Sequence, residues 1–394
     1  MGVKKKLRGV KFKDITGHKE IVTALRNIAD SGRIPHALLF SGLPGIGKMR
    51  TARAFAQYIH CKNPQNGDSC GVCPSCLQHQ KYNNPDLHFV YPIVKKKDGP
   101  QISKDNIDQW REMLTDHSYM APEKWNELLN AGNSQPAIYV TDSEDIINRA
   151  SLSAFQENFK IFIIWQPEKM RIEAANKLLK IIEEPFEDTI FILVSNNVEK
   201  ILPTIQSRTQ RFNFKPLDES QIREMLEANG VDSDTARDAA HIAEGSLRKA
   251  DEIACHPEEL SEFSSLFKEM MRAAYGLKAK NLRELSEKIA AFGREKISRY
   301  LDYCSRMVRQ NYLYNFQLQP LVAMTQDEEN FSTRFAPFIH DGNVEQISEE
   351  IARARQDIER NGNSKIVLFD LMLLLSRQVR KPKALALPGL EEYI

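Results

Sequence analysis

The chain has 394 residues, with 54 Lys and Arg against 53 Asp and Glu and a formal net charge of +1. This length is enough for two or three domains with their own cores. The near-neutral balance argues against a nucleic-acid binder that is basic over its whole surface, although a local basic stripe is compatible with it. No segment approaches the ~20 apolar residues of a membrane helix, and no apolar run follows the basic residues near the N-terminus. The sequence therefore predicts a cytoplasmic protein.

The first regular elements are a predicted helix, a strand, a glycine-rich turn and a second helix. Residues 21–30 have apolar side chains at helical spacing, and the apolar run 37–40 is typical of a buried strand. Residues 41–49 read Ser-Gly-Leu-Pro-Gly-Ile-Gly-Lys-Met, which fits the phosphate-loop pattern G-x-x-x-x-G-K-[S/T] except at its last position. Apolar residues over 52–59 then predict the helix that should follow such a loop. This context favours a phosphate loop over an ordinary glycine-rich turn.

The loop has its phosphate-binding residues but lacks a magnesium ligand. Gly42, Gly45 and Gly47 leave backbone N–H groups free to face phosphate, and Lys48 can reach the β and γ oxygens. Met49 stands where Ser or Thr would offer a hydroxyl to magnesium, and its thioether has no such oxygen. We therefore expect weak binding of ATP or ADP at most, and no efficient hydrolysis.

Four of the six cysteines lie within sixteen residues, at positions Cys61, Cys70, Cys73 and Cys76. Short gaps between the last three suit a tight turn whose thiolates bind one tetrahedral Zn²⁺. The alternative, four cysteines without a metal, is disfavoured by the spacing and by a reducing compartment. With four protein ligands the metal would be structural. We expect His60 and His79 to be surface residues outside the site, and Cys255 and Cys304 to be small buried side chains.

Further strands and helices are predicted in alternation up to about residue 215. Apolar runs predict strands over 87–93, 161–165, 189–194 and 211–214, with helical stretches at 102–131, 138–159 and 174–182. Alternating strands and helices indicate a parallel α/β sheet. The third strand leads into Trp165 and Gln166, where a hydrolysing ATPase would have Asp-Glu; Trp165 is otherwise a bulky residue that closes a strand end. Gln166 can hydrogen-bond a water but cannot take its proton.

Two polar residues follow the last predicted strands. Asn196 ends the fourth strand, where it would either sense a γ-phosphate or cap the strand. Arg208 comes shortly after and would either enter a neighbouring subunit's ATP site as an arginine finger or remain a solvated surface side chain. From residue 216 to about 378 the pattern is helical, and residues 381–394 are expected to form a frayed tail.

These segments together resemble bacterial DNA polymerase III clamp-loader subunits of the AAA+ class. The resemblance covers most of residues 10–255 and rests on residues 33–42, on the four-cysteine knuckle after the phosphate-loop helix, and on residues 175–185. Ser207-Arg208-Thr209 is similar to the family's Ser-Arg-Cys motif, with Thr in third place. The family's motor subunits, gamma/tau, keep a Lys-Thr or Lys-Ser pair and an Asp-Glu pair. This chain keeps neither and so resembles the delta prime type.

The resemblance implies an architecture and a role. It implies an AAA+ P-loop module over 1–215 with a zinc knuckle at 61–76, a helical lid over 216–262 and a helical collar over 263–380. A delta prime-type subunit is a stator in a hetero-pentamer with gamma/tau and delta subunits, which loads the sliding clamp onto primed DNA. Arg208 would then act in trans on a gamma/tau site. Residues 245–248 resemble the sensor-2 element, which would place Arg248 near a bound nucleotide; the alternative is an arginine on a helix surface.

One departure from the family pattern is a predicted, mostly helical insertion near residues 100–136, either a lineage-specific addition or a partner-binding surface. Two other functions remain open at this point. The chain could be an active gamma/tau-like ATPase that tolerates Met49. It could also be a zinc-containing DNA-binding module, which the near-neutral charge disfavours.

Overall fold

The computed structural model describes residues 11–95, 101–116, 119–132, 134–317 and 321–382. The chain divides into two compact units, Met1–Ala254 and Cys255–Ile394. Within the described residues, no helix is both long enough and apolar enough to cross a membrane. The basic residues near the N-terminus and most of the predicted tail lie outside the described residues.

The first unit is built on the predicted five-stranded parallel sheet. Its strands are β1 Ala37–Ser41, β2 Leu87–Val90, β3 Lys160–Trp165, β4 Thr189–Ser195 and β5 Gln210–Asn213, in the order β2-β3-β4-β1-β5. Every pairing is parallel. The three central strands β1, β3 and β4 are buried on both faces, which is why they read as unbroken apolar runs in the sequence. Because the strands are parallel, the residues that follow β1, β3 and β4 share one edge of the sheet.

Helices surround the sheet and extend beyond it. Those of the first unit are α1 Lys19–Asp30, α2 Lys48–His60, α3 Pro74–Gln80, α4 Ile107–Asp116, α5 Pro122–Leu128, α6 Val140–Ala150, α7 Ile172–Glu183, α8 Pro203–Gln206, α9 Glu219–Ala228, α10 Ser233–Ile242 and most of α11 Leu247–Cys255. The short helices α4 and α5 lie within residues 100–136, where the sequence predicts a mostly helical insertion; that this segment is an insertion stays a prediction. Helices α9 to α11 have a separate small core of mostly alanine and leucine side chains.

The second unit is helical throughout its described residues, as the sequence predicts. Its helices are α12 Pro257–Tyr275, α13 Ala279–Ala290, α14 Arg294–Tyr314, α15 Gln326–Phe335, α16 Val344–Glu359 and α17 Ser364–Gln378. They enclose one apolar cluster that includes Phe267, Tyr300 and Leu375. Cys304 is buried there as expected, whereas the expectation for Cys255 is wrong, because this residue is exposed at the end of α11. The division into module, lid and collar stays a prediction.

Candidate functional site

The phosphate loop lies between β1 and α2, at the edge of the sheet where the strands end. Gly47 starts α2 with a φ of 100°, a left-handed conformation that favours glycine. Gly45 approaches α11 so closely that a Cβ atom there would lie 2.5 Å from the Cβ of Arg248. The sequence pattern thus folds into the strand, loop and helix arrangement that points backbone N–H groups at an anion.

Lys48 lies inside this loop. It is only 4% exposed, and its Nζ donates hydrogen bonds to the carbonyl oxygens of Gly42 at 2.8 Å and Leu43 at 2.5 Å. Burial lowers the pKa of Lys48 to about 7, and the carboxylate of Glu168 opposes that shift. The amine is therefore held against the backbone of its own loop by two carbonyl groups and is poorly solvated.

The positions that would hold magnesium are apolar and filled. Met49 is 5% exposed and Trp165 is 2% exposed. The Trp165 ring lies 5.5 Å from that of Trp110 and 6.4 Å from that of Trp125, both from the predicted insertion. Trp110 in turn stacks on Tyr91 at 4.0 Å. An acidic side chain at position 165 would lie in this aromatic cluster, which offers few polar partners for a charge.

Gln166 begins the turn after β3 in a left-handed conformation with a φ of 55°. Its backbone N–H donates to the Val194 carbonyl at 2.9 Å, and its buried side-chain Oε1 has no hydrogen-bond partner. An amide in this place can bind water but cannot accept a proton from it.

Asn196 lies at the same edge, as both interpretations of the sequence require. Its backbone N–H donates to Oε1 of Glu168 at 3.0 Å, and the residue lines a cavity of about 30 Å³ beside the loop. Gly45, Gly47, Lys48 and Met49 line the same cavity, and so do Trp165, Val194, Arg50, Arg53, Leu114, Tyr119 and Met120. Such a volume holds about two water molecules.

Sequence reasoning missed three charged residues at this site. Glu168 follows Gln166 by two positions, and its Oε2 is buried without a hydrogen-bond partner. Arg50 and Arg53 follow Lys48 along α2; burial lowers the pKa of Arg53, whose Nη2 donates to the Tyr82 hydroxyl at 2.9 Å. The only signal in the sequence was their spacing from motif residues, two and five positions beyond Lys48 for the arginines.

Arg248 is beside the phosphate loop, and its role near a bound nucleotide stays a prediction. Its backbone N–H donates to the Gly45 carbonyl at 3.1 Å. Its guanidinium is paired with Glu252 at 2.9 Å and with Glu123 of α5 at 3.6 Å. This arginine, which is 19% exposed, is therefore engaged by two carboxylates of its own chain.

Arg208 is apart from these residues. It follows α8, is 41% exposed, and pairs through Nη2 with Glu183 at 2.8 Å. Its Nη1 also donates to the Thr204 carbonyl at 3.1 Å. The structure thus brings the phosphate loop, Trp165, Gln166, Asn196 and Arg248 together, and leaves Arg208 on the surface with an oriented guanidinium.

The four cysteines converge as the spacing predicts. Their sulfur atoms all lie within 4.8 Å of one another, and those of Cys70 and Cys76 are 3.9 Å apart. Four sulfurs around one ion at about 2.3 Å would be about 3.8 Å apart, so the group could hold a metal ion. The backbone N–H of Val72 lowers the pKa of the Cys70 thiol to about 6, whereas burial raises the pKa of Cys61 and Cys76.

The expectation for the two flanking histidines is wrong. His60 and His79 are 2% and 5% exposed, and their Nδ1 and Nε2 atoms are 2.9 Å apart. Nε2 of His60 donates to the Phe159 carbonyl at 2.9 Å, so its Nδ1 accepts from His79. Burial lowers the pKa of His60 to about 4 and that of His79 well below its usual range. This neutral pair packs the knuckle against the α/β module.

Comparison with known proteins places the chain in a family. The family model described as DNA polymerase III, delta subunit, matches residues 17–131 and 120–218. The gamma/tau subunit of Mycobacterium tuberculosis is 30% identical over 240 residues, 60% of this chain and 35% of that protein. The tau subunit of Escherichia coli is 29% identical over 252 residues, 62% of this chain and 33% of that protein. The chain thus spans about a third of the length of these relatives. A solved gamma subunit-related protein of Thermotoga maritima has 15% identity and a TM-score of 0.42, with 91% of this chain and 99% of that one covered.

Proposed function

Because the chain belongs to the DNA polymerase III delta subunit family, we propose that it is a delta prime-type stator of a clamp loader. In this role it assembles with gamma/tau and delta subunits and helps to load a sliding clamp onto primed DNA. It does not hydrolyse ATP itself. It contributes an AAA+ module to the assembly and an arginine to a neighbouring ATPase subunit.

The observation that carries this proposal is the aromatic cluster around Trp165. Hydrolysis needs a magnesium ion and a base for the attacking water. Here Trp165 and Gln166 supply neither, Met49 offers no hydroxyl, and two tryptophans of the insertion fill the space beside Trp165. A chain that keeps the phosphate loop but packs apolar side chains where the metal would lie is better suited to a structural role than to ATP hydrolysis.

Arg208 is the residue we propose to act in trans. Its guanidinium is exposed and does not line the cavity of its own phosphate loop. Contacts with Glu183 and Thr204 orient the side chain before any partner arrives, which lowers the entropic cost of placing it. A positioned guanidinium stabilises the negative charge that develops on a transferring phosphoryl group.

We further propose that the four cysteines bind a structural Zn²⁺. Four thiolate ligands leave no open coordination position, so the ion would be structural rather than catalytic. Metal binding would hold together a segment that has little apolar core of its own.

The test is the ATPase activity of the purified chain, alone and with a gamma/tau-type subunit from the same organism. We expect no turnover by the chain alone, and a stimulated rate in the mixture that Arg208→Ala reduces about 10³-fold without loss of assembly. Arg237→Ala, which removes another exposed arginine from α10, is the matched control and should have no effect. An unchanged rate with Arg208→Ala in an intact assembly would refute the assignment.

Glu168 supports a second candidate, an active ATPase of the gamma/tau type. Oε2 of its carboxylate has no hydrogen-bond partner, and its charge opposes the lowering of the pKa of Lys48, so this acid could replace the missing pair. Magnesium-dependent turnover by the chain alone, abolished by Lys48→Ala and by Glu168→Gln, would establish this function and exclude the stator.

A further inference from the structure

Two neighbouring residues of the insertion face different cores. Tyr119 is 7% exposed and packs into the small core of α9 to α11, with Leu217 and Ile222. Met120 is 9% exposed and packs into the core that lies against the sheet. One short piece of backbone is therefore anchored in both cores, since each side chain is enclosed by a different set of apolar neighbours.

Tyr119 is also fixed to the helix that follows the phosphate loop. Nη1 of Arg50 donates to the Tyr119 hydroxyl at 3.1 Å, and the guanidinium carbon lies 5.4 Å from the ring centre. Nη2 of the same arginine donates to the Asp14 carbonyl at 3.2 Å. A cation over an aromatic face and a hydrogen bond to its hydroxyl act together here, in a place with little water.

The insertion makes a second contact with the same helices through Glu123. This residue is in the first turn of α5, and its carboxylate lies 3.6 Å from the guanidinium of Arg248 in α11. Glu123 is half exposed, so the pair contributes less than the buried Tyr119. The pair with Glu123 matters because Arg248 also donates its backbone N–H to the carbonyl of Gly45 in the phosphate loop.

Tyr119 and Met120 also line the cavity beside the phosphate loop. Leu114, Tyr119 and Met120 form one wall of the cavity beside Gly47 and Lys48. The remaining space, about 30 Å³, is far below the ~300 Å³ of an ordinary small-molecule site. A nucleotide at this loop would compete with Leu114, Tyr119 and Met120 for the space beside Gly47 and Lys48.

We propose that the described part of the insertion, residues 101–116 and 119–132, is an internal clasp that replaces a nucleotide. It holds α9 to α11 against the phosphate loop by the Tyr119 and Glu123 contacts and occupies the space that a triphosphate would need. The relative position of these elements in this chain is therefore constant and independent of nucleotide. This clasp is a property of the single chain and holds whether or not Arg208 acts on a neighbour.

The experiment is hydrogen exchange on the full chain, with and without millimolar Mg·ATP, followed at the amides of α9 to α11. Wild-type exchange should not respond to Mg·ATP. Tyr119→Ala should speed exchange in α9 to α11 about tenfold or more, because their anchor is lost. Leu152→Ala, a change at an exposed apolar side chain outside the clasp, should leave those amides unchanged. Glu123→Gln should speed exchange slightly, whereas Glu127→Gln, whose carboxylate pairs with Lys124 of the same helix, should not.

Several outcomes would overturn the clasp. Slower exchange of α9 to α11 in wild-type protein with Mg·ATP would mean that nucleotide, not the insertion, holds them. Unchanged exchange with Tyr119→Ala would mean that the contact does not hold them. If Tyr119→Ala fails to fold, Tyr119→Phe decides: it keeps the ring and loses the hydrogen bond with Arg50. Faster exchange confined to α9 to α11 supports the clasp, and wild-type exchange refutes it.

Discussion

Replacing Trp165 with Asp tests whether the apolar cluster, rather than a simple lack of acid, defines this site. The substitution restores the acidic residue that an ATPase would carry at the end of β3. We expect it to destabilise the first unit severely and to produce no ATPase activity. Trp165→Phe is the matched control, because it keeps an aromatic ring in the cluster and adds no charge.

The magnitude follows from the packing of Trp165. The side chain is 2% exposed, and its removal down to a small residue costs about 3–5 kcal/mol for the lost contacts and the cavity. A carboxylate among Trp110, Trp125 and Tyr91 adds a desolvation penalty of roughly 1–3 kcal/mol or more. The sum approaches the ~5–15 kcal/mol that stabilises a whole domain. Trp165→Phe should cost only about 1–2 kcal/mol.

The assay is urea unfolding followed by tryptophan fluorescence and by circular dichroism. All three tryptophans of the chain belong to this cluster, so fluorescence reports its packing directly. Burial should raise the pKa of the introduced carboxyl, so it stays neutral at pH 5 and the stability gap to wild type is smaller there than at pH 8. Refutation would be a Trp165→Asp protein with wild-type fluorescence and a free energy of unfolding within about 1 kcal/mol of wild type.

Three further predictions concern the metal site and two titrating groups. Cys73→Ser, or a chelator, should release one equivalent of zinc and lower the melting temperature, whereas Cys255→Ser should do neither. Wild-type protein that contains no zinc while its thiols are reduced would contradict the proposed metal site. Lys48→Met should raise the free energy of unfolding by about 1–3 kcal/mol at pH 6, because burial lowers the pKa of Lys48 to about 7. The wild-type chain gains stability only as pH rises from 7 toward 10.5. A difference in unfolding free energy between variant and wild type that stays constant from pH 6 to pH 10 would exclude this cause. The His88 ring lies 4.8 Å from that of Phe162 in a tilted arrangement, and burial lowers the pKa of His88 to about 4. The free energy of unfolding should therefore fall by up to about 3 kcal/mol as pH falls from 6.5 to 4. His88→Phe should lessen that loss, and a pH profile identical to that of the wild type would disprove this cause.

The sheet and much of the site could be predicted from the sequence. The three central strands β1, β3 and β4 could be predicted because they are buried on both faces and so carry unbroken apolar runs. The phosphate loop and the cysteine group were found because their function depends on residues close in the chain, at fixed spacing. The burial of His60 and His79 was missed because it depends on segments from α2, α3 and residue 159 that meet only in the folded chain.

The sequence alone determined which side chains are present at the site, and therefore which magnesium ligands and acidic groups it lacks. No fold can give Met49 a hydroxyl or Trp165 a carboxylate, so the absence of magnesium ligands at these positions follows directly from residue identity. Only the tertiary structure decided what fills the space instead. Trp110 and Trp125 contact Trp165, and Tyr119 contacts Arg50 of α2. Contacts between residues so far apart in sequence leave no local pattern from which they could be predicted.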